Sequence, residues 1–507
     1  MSGELAHCVA VDRGRGNGQQ EMPPRPGIRR PVIIQGGMGV GVSGWRLARA
    51  VGLAGQLGVV SGLGLDILLA RRLQLGDPEG HLRRALTRFP FPAVAEQILD
   101  RYFVDGGIDR EAPFCAMPRL RLRPSRHSSE LAVAANFVEI FLAKEGHDGL
   151  VGINYLEKTQ MATPAAVYGA MLAGVDYVLM GAGVPAEIPE LLDAFAAGQP
   201  GGVTVTMHGA GAAAATSRVS LAPKAIFGVH AELSRPQFLA IVGSNMLATY
   251  LARETRTRPE GFVVEGLAAG GHSARPRGPL ILDPQGQPTY GPRDVVDLEK
   301  LRTLGLPYWL AGGYASPQRL REAQQEGAAG VQVGSAFALC DESGLRPSIK
   351  RALRECAITG TLRVRADPLA SPTGFPFKVA HMPGTLADER VYAERQRVCD
   401  LGYLRVPYRT VSGDVGYRCS AEPVRAHVRK GGQPEETTGR RCLCNGLAAA
   451  IGLGQRCPTG TVEPAIVTIG QELSFLPALT GPGRDGYSAR EVVDYLVAGS
   501  EAMVTQT

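Results

Sequence analysis

Eight short apolar runs alternate with helix-like segments, several of the runs end in small residues, and the chain is 507 residues long. These observations predict an α/β fold, a (β/α)8 TIM barrel with long insertions and an irregular, Cys-rich C-terminal extension. Parallel strands joined by crossover helices produce this alternation. A doubly wound sheet would also place ligands at the strand carboxyl ends, and the count of eight favours the barrel. One large barrel with an appended region fits the length better than three independent domains.

The elements follow in order. Val32–Ile34 reads as the first strand, and the stretch from Ser43 to Ala54 as a helix with Ser43 as its cap. Gly58–Ser61 is the second strand. An irregular insertion rich in Arg, Leu and Pro is expected over about 65–128, then a helix from Glu130 to Glu145 and a third strand at Leu150–Asn154. Thr163-Pro164 opens the next helix as cap and first-turn proline. Asp176–Met180 is the fourth strand and Glu187–Ala197 a helix. The Gly-, Ala- and Thr-rich stretch at about 199–230 reads as an excursion or lid, with His208 as an exposed loop residue. Phe238–Val242, Gly261–Glu265, Tyr308–Ala311 and Val331–Val333 complete the eight strands. A polar loop is expected at 272–300, and Ser316-Pro317 opens a helix that closes at Gly327. The barrel with its insertions is assigned to 31–366. From about 367 to 507 regular periodicity is lost, apart from a helix at Ser488–Val497 with Ser488 and Glu491 as a capping box. This extension is a candidate lid or subunit contact, which makes a homo-oligomer one expectation.

Composition narrows the function. Hydrophobic residues make up 44% and charged residues 20%, enough for a sizeable core. The net charge of +6 is spread without a concentrated basic run, so nucleic acid is not an expected partner. No apolar run reaches the roughly 20 residues of a membrane helix. Residues 1–30 lack a signal-peptide core and read as a flexible arm, so the expected location is cytoplasmic. Nine cysteines in such a chain point to thiols or metal ligands rather than a disulfide frame.

The candidate site lies where the strands end. Val263-Val-Glu-Gly-Leu-Ala-Ala-Gly-Gly-His272 is an apolar run opening into glycines and one histidine. Glycines let the backbone approach a flat or phosphorylated ligand, and an imidazole is the side chain best suited to proton transfer near neutral pH. Pro31-Val-Ile-Ile-Gln-Gly-Gly-Met-Gly39, Trp309-Leu-Ala-Gly-Gly313 and Gly330-Val-Gln-Val-Gly-Ser-Ala-Phe337 end in the same manner. In a barrel all four ends meet on one face. The turns Gly312-Gly313 and Gly334-Ser335, after strands seven and eight, fall where barrels commonly bind phosphate through backbone amides.

With these pieces in order, the chain resembles the nitronate monooxygenase (2-nitropropane dioxygenase-like) family of flavin enzymes. The matching motifs are Gln35-Gly-Gly-Met38, Val151-Gly-Ile-Asn154, Ala269-Gly-Gly-His272, Ala311-Gly-Gly313 and Gly330–Phe337. The resemblance covers about residues 31–340 and implies a barrel that binds FMN. It places Gly312, Gly313, Gly334 and Ser335 at the FMN phosphate, and Gln35, Gly36, Gly37, Met38 and Asn154 along the flavin. Gly270 and Gly271 would let the chain pass close to the cofactor, and His272 would be the base. The family's segment usually reads Gln-Gly-x-Glu-Ala-Gly-Gly-His. Here Glu265 stands for the Gln and Ala268 for the Glu. A carboxylate at Glu265 beside a reduced flavin is unfavourable unless protonated or paired, or unless it points away from the ring.

The resemblance implies oxidation of a nitronate or similar stabilised carbanion, with a small organic anion and O2 as partners. The alternatives are a trans-acting enoyl reductase using NAD(P)H on an acyl-carrier-bound substrate, and a non-catalytic flavin- or metal-binding scaffold. In the extension, Cys399, Cys419, Cys442 and Cys444 form a candidate structural zinc site. Their spacing does not match a standard zinc ribbon, and buried thiols acting as small hydrophobes are the competing reading.

Overall fold

The computed structural model describes residues 30–208, 215–228, 232–457, 460–481 and 484–498. The expected N-terminal arm lies, apart from Arg30, outside these residues. From Pro31 onward the chain forms one compact unit.

The barrel strands are β1 (Ile33–Gln35), β2 (Gly58–Ser61), β3 (Val151–Leu156), β4 (Tyr177–Gly181), β5 (Gln237–Val242), β6 (Gly261–Glu265), β7 (Tyr308–Ala311) and β8 (Gly330–Val333). All pair in parallel, in the order β1-β8-β7-β6-β5-β4-β3-β2. The ring closes between β1 and the residue before β2. Gln35 N donates to Leu57 O at 2.9 Å, Leu57 N donates to Ile33 O at 3.1 Å, and Ile34 bridges Leu57. The eight predicted strands are therefore those of a closed barrel, with boundaries moved by a residue or two.

Closure needs a filled interior. Ile34, Leu57, Val59, Tyr177, Leu179, Leu239, Val263 and Trp309 supply it as one buried cluster. Trp309 is 1% exposed, and its indole N–H donates to Pro31 O at 2.8 Å, which satisfies the one polar atom it buries. Apolar residues on the outer faces of the strands pack against the helices in a second, larger core.

Three expectations are corrected. The stretch 65–128 is not irregular throughout: it contains helices Leu65–Gln74, His81–Leu86 and Pro92–Tyr102. Leu65, Leu68, Leu69 and Leu73 follow the helical period and are buried. The excursion after Gly198 is an antiparallel hairpin, Gly201–Met207 with Ala215–Leu221. His208 at its end is exposed, and its backbone pairs with Pro407 and Arg409. The extension also holds more regular structure than its sequence texture suggests. Phe377–His381 pairs with Arg363–Asp367 across the expected boundary, Val406–Arg409 and Val415–Arg418 form a hairpin, and a helix spans Leu443–Ala450. The expected capping box at Ser488 and Glu491 is formed.

The extension is fastened to the barrel by buried polar contacts. Arg71, 1% exposed, donates to Leu453 O at 2.6 Å and to Asp400 Oδ2 at 3.0 Å. A buried charge with both partners in place resists separation of the two parts, because loss of either partner would leave it uncompensated.

Candidate active site

The strand carboxyl ends and the extension enclose one cavity. Gly36, Gly37 and Met38 enter it after β1, Asn154 from β3, and Glu265, Gly270, Gly271 and His272 from the end of β6 and its turn. Gly312 and Gly313 follow β7, and Gly334 and Ser335 follow β8. All these residues were expected at one site, and the fold brings them together.

Gln35 is the exception. It is fully buried and does not line the cavity. Its Oε1 accepts from Val59 N at 2.9 Å, and its Nε2 donates to Ser43 Oγ at 2.9 Å and to Gly36 O. It therefore braces β1 against β2. Ser43 is likewise not the helix cap that the sequence suggested; Gly44 occupies that position. Ser43 Oγ instead accepts from Met38 N at 2.9 Å and donates to Gly36 O at 2.8 Å, which fixes the turn after β1. Thr163 is also not a cap, since Ala162 holds that place.

The glycines serve close approach. A side chain on Gly37 would run into Asn154. Gly312 and Gly313 have φ of +91° and +89°, a region that favours glycine. Asn154 Nδ2 donates to Gly37 O at 3.1 Å, but its buried Oδ1 has no protein partner, and neither does Gln332 Oε1 in the same wall. Unpaired buried acceptors are costly, so two of them on one cavity mark a place for a donor-bearing ligand.

His272 is half-buried and held from the extension. Its backbone bridges Phe377, and Lys378 N donates to Gly271 O at 2.9 Å. Its ring meets Phe377 edge-on with centroids 4.9 Å apart, and Nε2 shares a hydrogen bond of 2.7 Å with Ser371 Oγ. Burial, with Lys158 nearby, pushes its pKa down to about 4. The imidazole is therefore neutral throughout the physiological range.

Glu265 faces the cavity with its pKa raised by burial to about 7, partly offset by Lys378. Burial lowers Lys378 to about 8. The Lys378 ammonium donates to Leu267 O and Gln471 Oε1, both at 2.6 Å. The carboxyl thus sits near its protonation point at neutral pH, within the electrostatic reach of Lys378.

The extension supplies residues that sequence reading missed: Ser371, Phe377, Lys378, Thr468 and Gly470. Thr468 Oγ1 accepts from Gly271 N, and Ser335 Oγ accepts from Gly470 N, both at 3.0 Å. No motif marks these positions. Ser371 and Lys378 lie roughly a hundred residues beyond their partners, and the only signal was an extension too long to be a simple tail.

The cysteine expectation is corrected in part. Cys399, Cys419, Cys442 and Cys444 do gather, around Ala421. Yet among the described residues no group of three or more His, Cys, Asp or Glu side chains is arranged to hold a metal ion. Burial pushes the Cys399 thiol up to about 12 and Cys419 upward as well, so these two pack as small protonated hydrophobes, while the Cys444 thiol holds Cys442 below the ordinary thiol range. No described helix is long and apolar enough to cross a membrane.

Residues 232–367 match the family model described as nitronate monooxygenase. A nitronate monooxygenase of Pseudomonas aeruginosa is 35% identical over 96 residues, which are 19% of this chain and 25% of that protein. The chain thus spans about a quarter of the length of that relative. Among solved structures, FabK from Thermotoga maritima is 15% identical with 94% of each chain covered and a TM-score of 0.46. A nitroalkane oxidase from Streptomyces ansochromogenes is 15% identical, with 94% of this chain and 98% of that one covered and a TM-score of 0.42. The resemblance to the nitronate monooxygenase family holds over residues 232–367, the stretch that carries β5 to β8, the His272 turn and the Gly312-Gly313 and Gly334-Ser335 turns.

Proposed function

We infer that this chain is an FMN-dependent oxidoreductase that oxidises a nitronate or a similar stabilised carbanion with O2, with His272 as its base. The observation that carries the reading is a neutral imidazole at the end of β6, facing a cavity walled by strand-end glycines and by the unpaired acceptors of Asn154 and Gln332.

The residues fit FMN. Gly37, Gly270 and Gly312 let the strand-end turns pack against Asn154, Gly470 and Ala269 where a side chain would collide, and Asn154 Oδ1 and Gln332 Oε1 await donors of the kind a flavin ring edge or ribityl chain presents. Gly312, Gly313, Gly334 and Ser335 would hold the phosphate, and Gly36, Gly37, Met38 and Asn154 would border the ring. Bound there, FMN would supply the electron acceptor and the reactivity toward O2 that no side chain in the cavity offers.

The chain's own residues do the rest. His272 takes the carbon-bound proton of a substrate, or holds the anion when the substrate arrives already ionised. Ser371 fixes the ring at Nε2, and Phe377 limits its rotation and excludes water from that side. Lys378 offsets the charge of Glu265 when that carboxyl ionises.

A second reading is NAD(P)H-dependent reduction of an enoyl thioester. It is favoured by the large apolar share of the cavity wall, which includes Leu63, Ile67, Leu404, Leu443 and Leu447. The deciding experiment is an absorbance spectrum of the purified protein with identification of the released cofactor, then two assays. O2 uptake with a nitronate and without NADPH supports the first reading. Rapid anaerobic bleaching by NADPH followed by enoyl reduction replaces it with the second. A protein that cannot be loaded with FMN removes both.

A further inference from the structure

Four thiols meet beside the cavity. Cys419 and Cys442 are buried against Ala421, Cys399 and Cys444 pack on them, and all four are free thiols. No group among the described residues is arranged to hold a metal ion, so the gathering has no structural ligand to explain it.

Two of the four differ from the others. Cys442 and Cys444 are hydrogen-bonded to each other, and Cys444, only partly buried, lines the cavity beside Leu443 and Leu447. Residues two apart inside a helix face away from each other. Cys442 precedes the helix Leu443–Ala450 with an extended backbone, φ −74° and ψ 93°, and its thiol turns toward that of Cys444 instead. Cα atoms two residues apart at a helix start lie about 5–6 Å from each other, inside the span that a disulfide bridges. Burial keeps Cys399 and Cys419 protonated and unreactive. In the other pair the S–H of Cys444 supports a thiolate on Cys442, and the thiolate is the form that oxidants meet.

We propose that Cys442 and Cys444 are an oxidisable dithiol on the cavity wall, converted to a disulfide by hydrogen peroxide that reaches them through the cavity. The Cys442 thiolate attacks one peroxide oxygen, the O–O bond breaks, and the leaving hydroxide takes the Cys444 proton and departs as water. The Cys444 sulfur then attacks the sulfenic sulfur of Cys442. The S–S bond forms, the S–O bond breaks, and the second oxygen leaves as water with a proton from solvent. Two thiols lose two electrons, and one peroxide gains them. Leu443 lies between the two cysteines on the same wall, so closing the disulfide shifts the lining of the cavity. The inference goes beyond the proposed function, since neither FMN nor turnover enters it.

The test treats the full chain, as purified and freed of reductant, with hydrogen peroxide, then alkylates it under denaturing conditions and digests it with trypsin. Arg441 and Arg456 bracket both cysteines, so one peptide, Cys442–Arg456, carries them. That peptide is expected two hydrogens lighter and unalkylated, with Cys399 and Cys419 still alkylated. Cys444→Ser is expected to stop at a Cys442 sulfenic acid that dimedone traps, and Cys442→Ser to lose the reaction. The wild-type peptide is the primary readout and depends on neither variant folding. A Cys442–Arg456 peptide that stays fully alkylated, with oxidation absent or confined to the exposed Cys115, overturns the proposal. So does a stoichiometric metal ion that must be chelated before the four thiols alkylate.

Discussion

Ser371 Oγ lies 2.7 Å from His272 Nε2, across 99 residues of sequence, and is itself fully buried. Ser371 is in turn 2.7 Å from Thr373 Oγ1 and accepts from Thr373 N at 3.2 Å. The extension thus fixes which face of the imidazole looks into the cavity. We predict that Ser371→Ala retains FMN but lowers kcat by about tenfold, because the ring loses its orientation while its basicity stays. His272→Asn should cost roughly two to four decades, the usual scale for a general base. Stopped-flow turnover of both variants, with FMN content measured alongside, checks the pair. Equal losses in the two would show that Ser371 does more than orient the ring.

Ser43 shows how local reasoning is overridden. It precedes an apolar helical run and so reads as a cap, but it is fully buried and ties Gln35, Gly36 and Met38 together instead. Ser43→Ala leaves Met38 N without its acceptor and takes one of two acceptors from Gln35 Nε2, at a cost of about 2–3 kcal/mol. A capping role at a solvated helix end would cost about 1 kcal/mol or less. Chemical denaturation of the variant distinguishes the two.

The barrel was legible because its signal is local. An apolar run that stops at glycine, as at Val263–Gly271 or Trp309–Gly313, reports both a strand and its open end. The cavity-lining glycines, Asn154 and His272 came with it. The rest was hidden because it depends on long-range packing. Nothing near Lys378 in sequence says that its ammonium meets Leu267 O, and nothing near Ser371 points to an imidazole. The helices at 65–102 were obscured by the Arg-rich composition around them. Those arginines are explained only by tertiary partners, such as Asp400 for Arg71 and Glu139 for Arg72.

Gly37 offers a test of the cavity floor. A Cβ there would collide with Asn154 and sit 3.1 Å from Val59 Cγ1. Both neighbours are anchored in the barrel wall, so Gly37→Ala should destabilise the protein by about 1–3 kcal/mol, the range for overpacking. It should also weaken FMN retention, because Asn154 would be displaced. A variant with wild-type melting temperature and FMN content would show that the site is looser than its packing implies.

Glu265 and His272 should leave opposite marks on stability against pH. The folded-state pKa of Glu265 is raised to about 7, from an ordinary value near 4.5. Between these values the folded protein holds a proton that the unfolded chain has released, so stability falls as pH rises through this window and levels off above it. His272 is lowered to about 4 from 6.5. Over that range the unfolded chain binds the extra proton, so stability falls as pH drops from 6.5 toward 4. The two trends partly cancel in the wild type. In Glu265→Gln the first is removed, and its melting temperature should gain on the wild type steadily from pH 4.5 to 7. In His272→Asn the second is removed, and that variant should gain on the wild type as the pH falls below 6.5. Parallel melting curves for wild type and Glu265→Gln across the whole range would mean that Glu265 ionises as an ordinary surface carboxylate, and the cavity-facing environment assigned to it would be wrong.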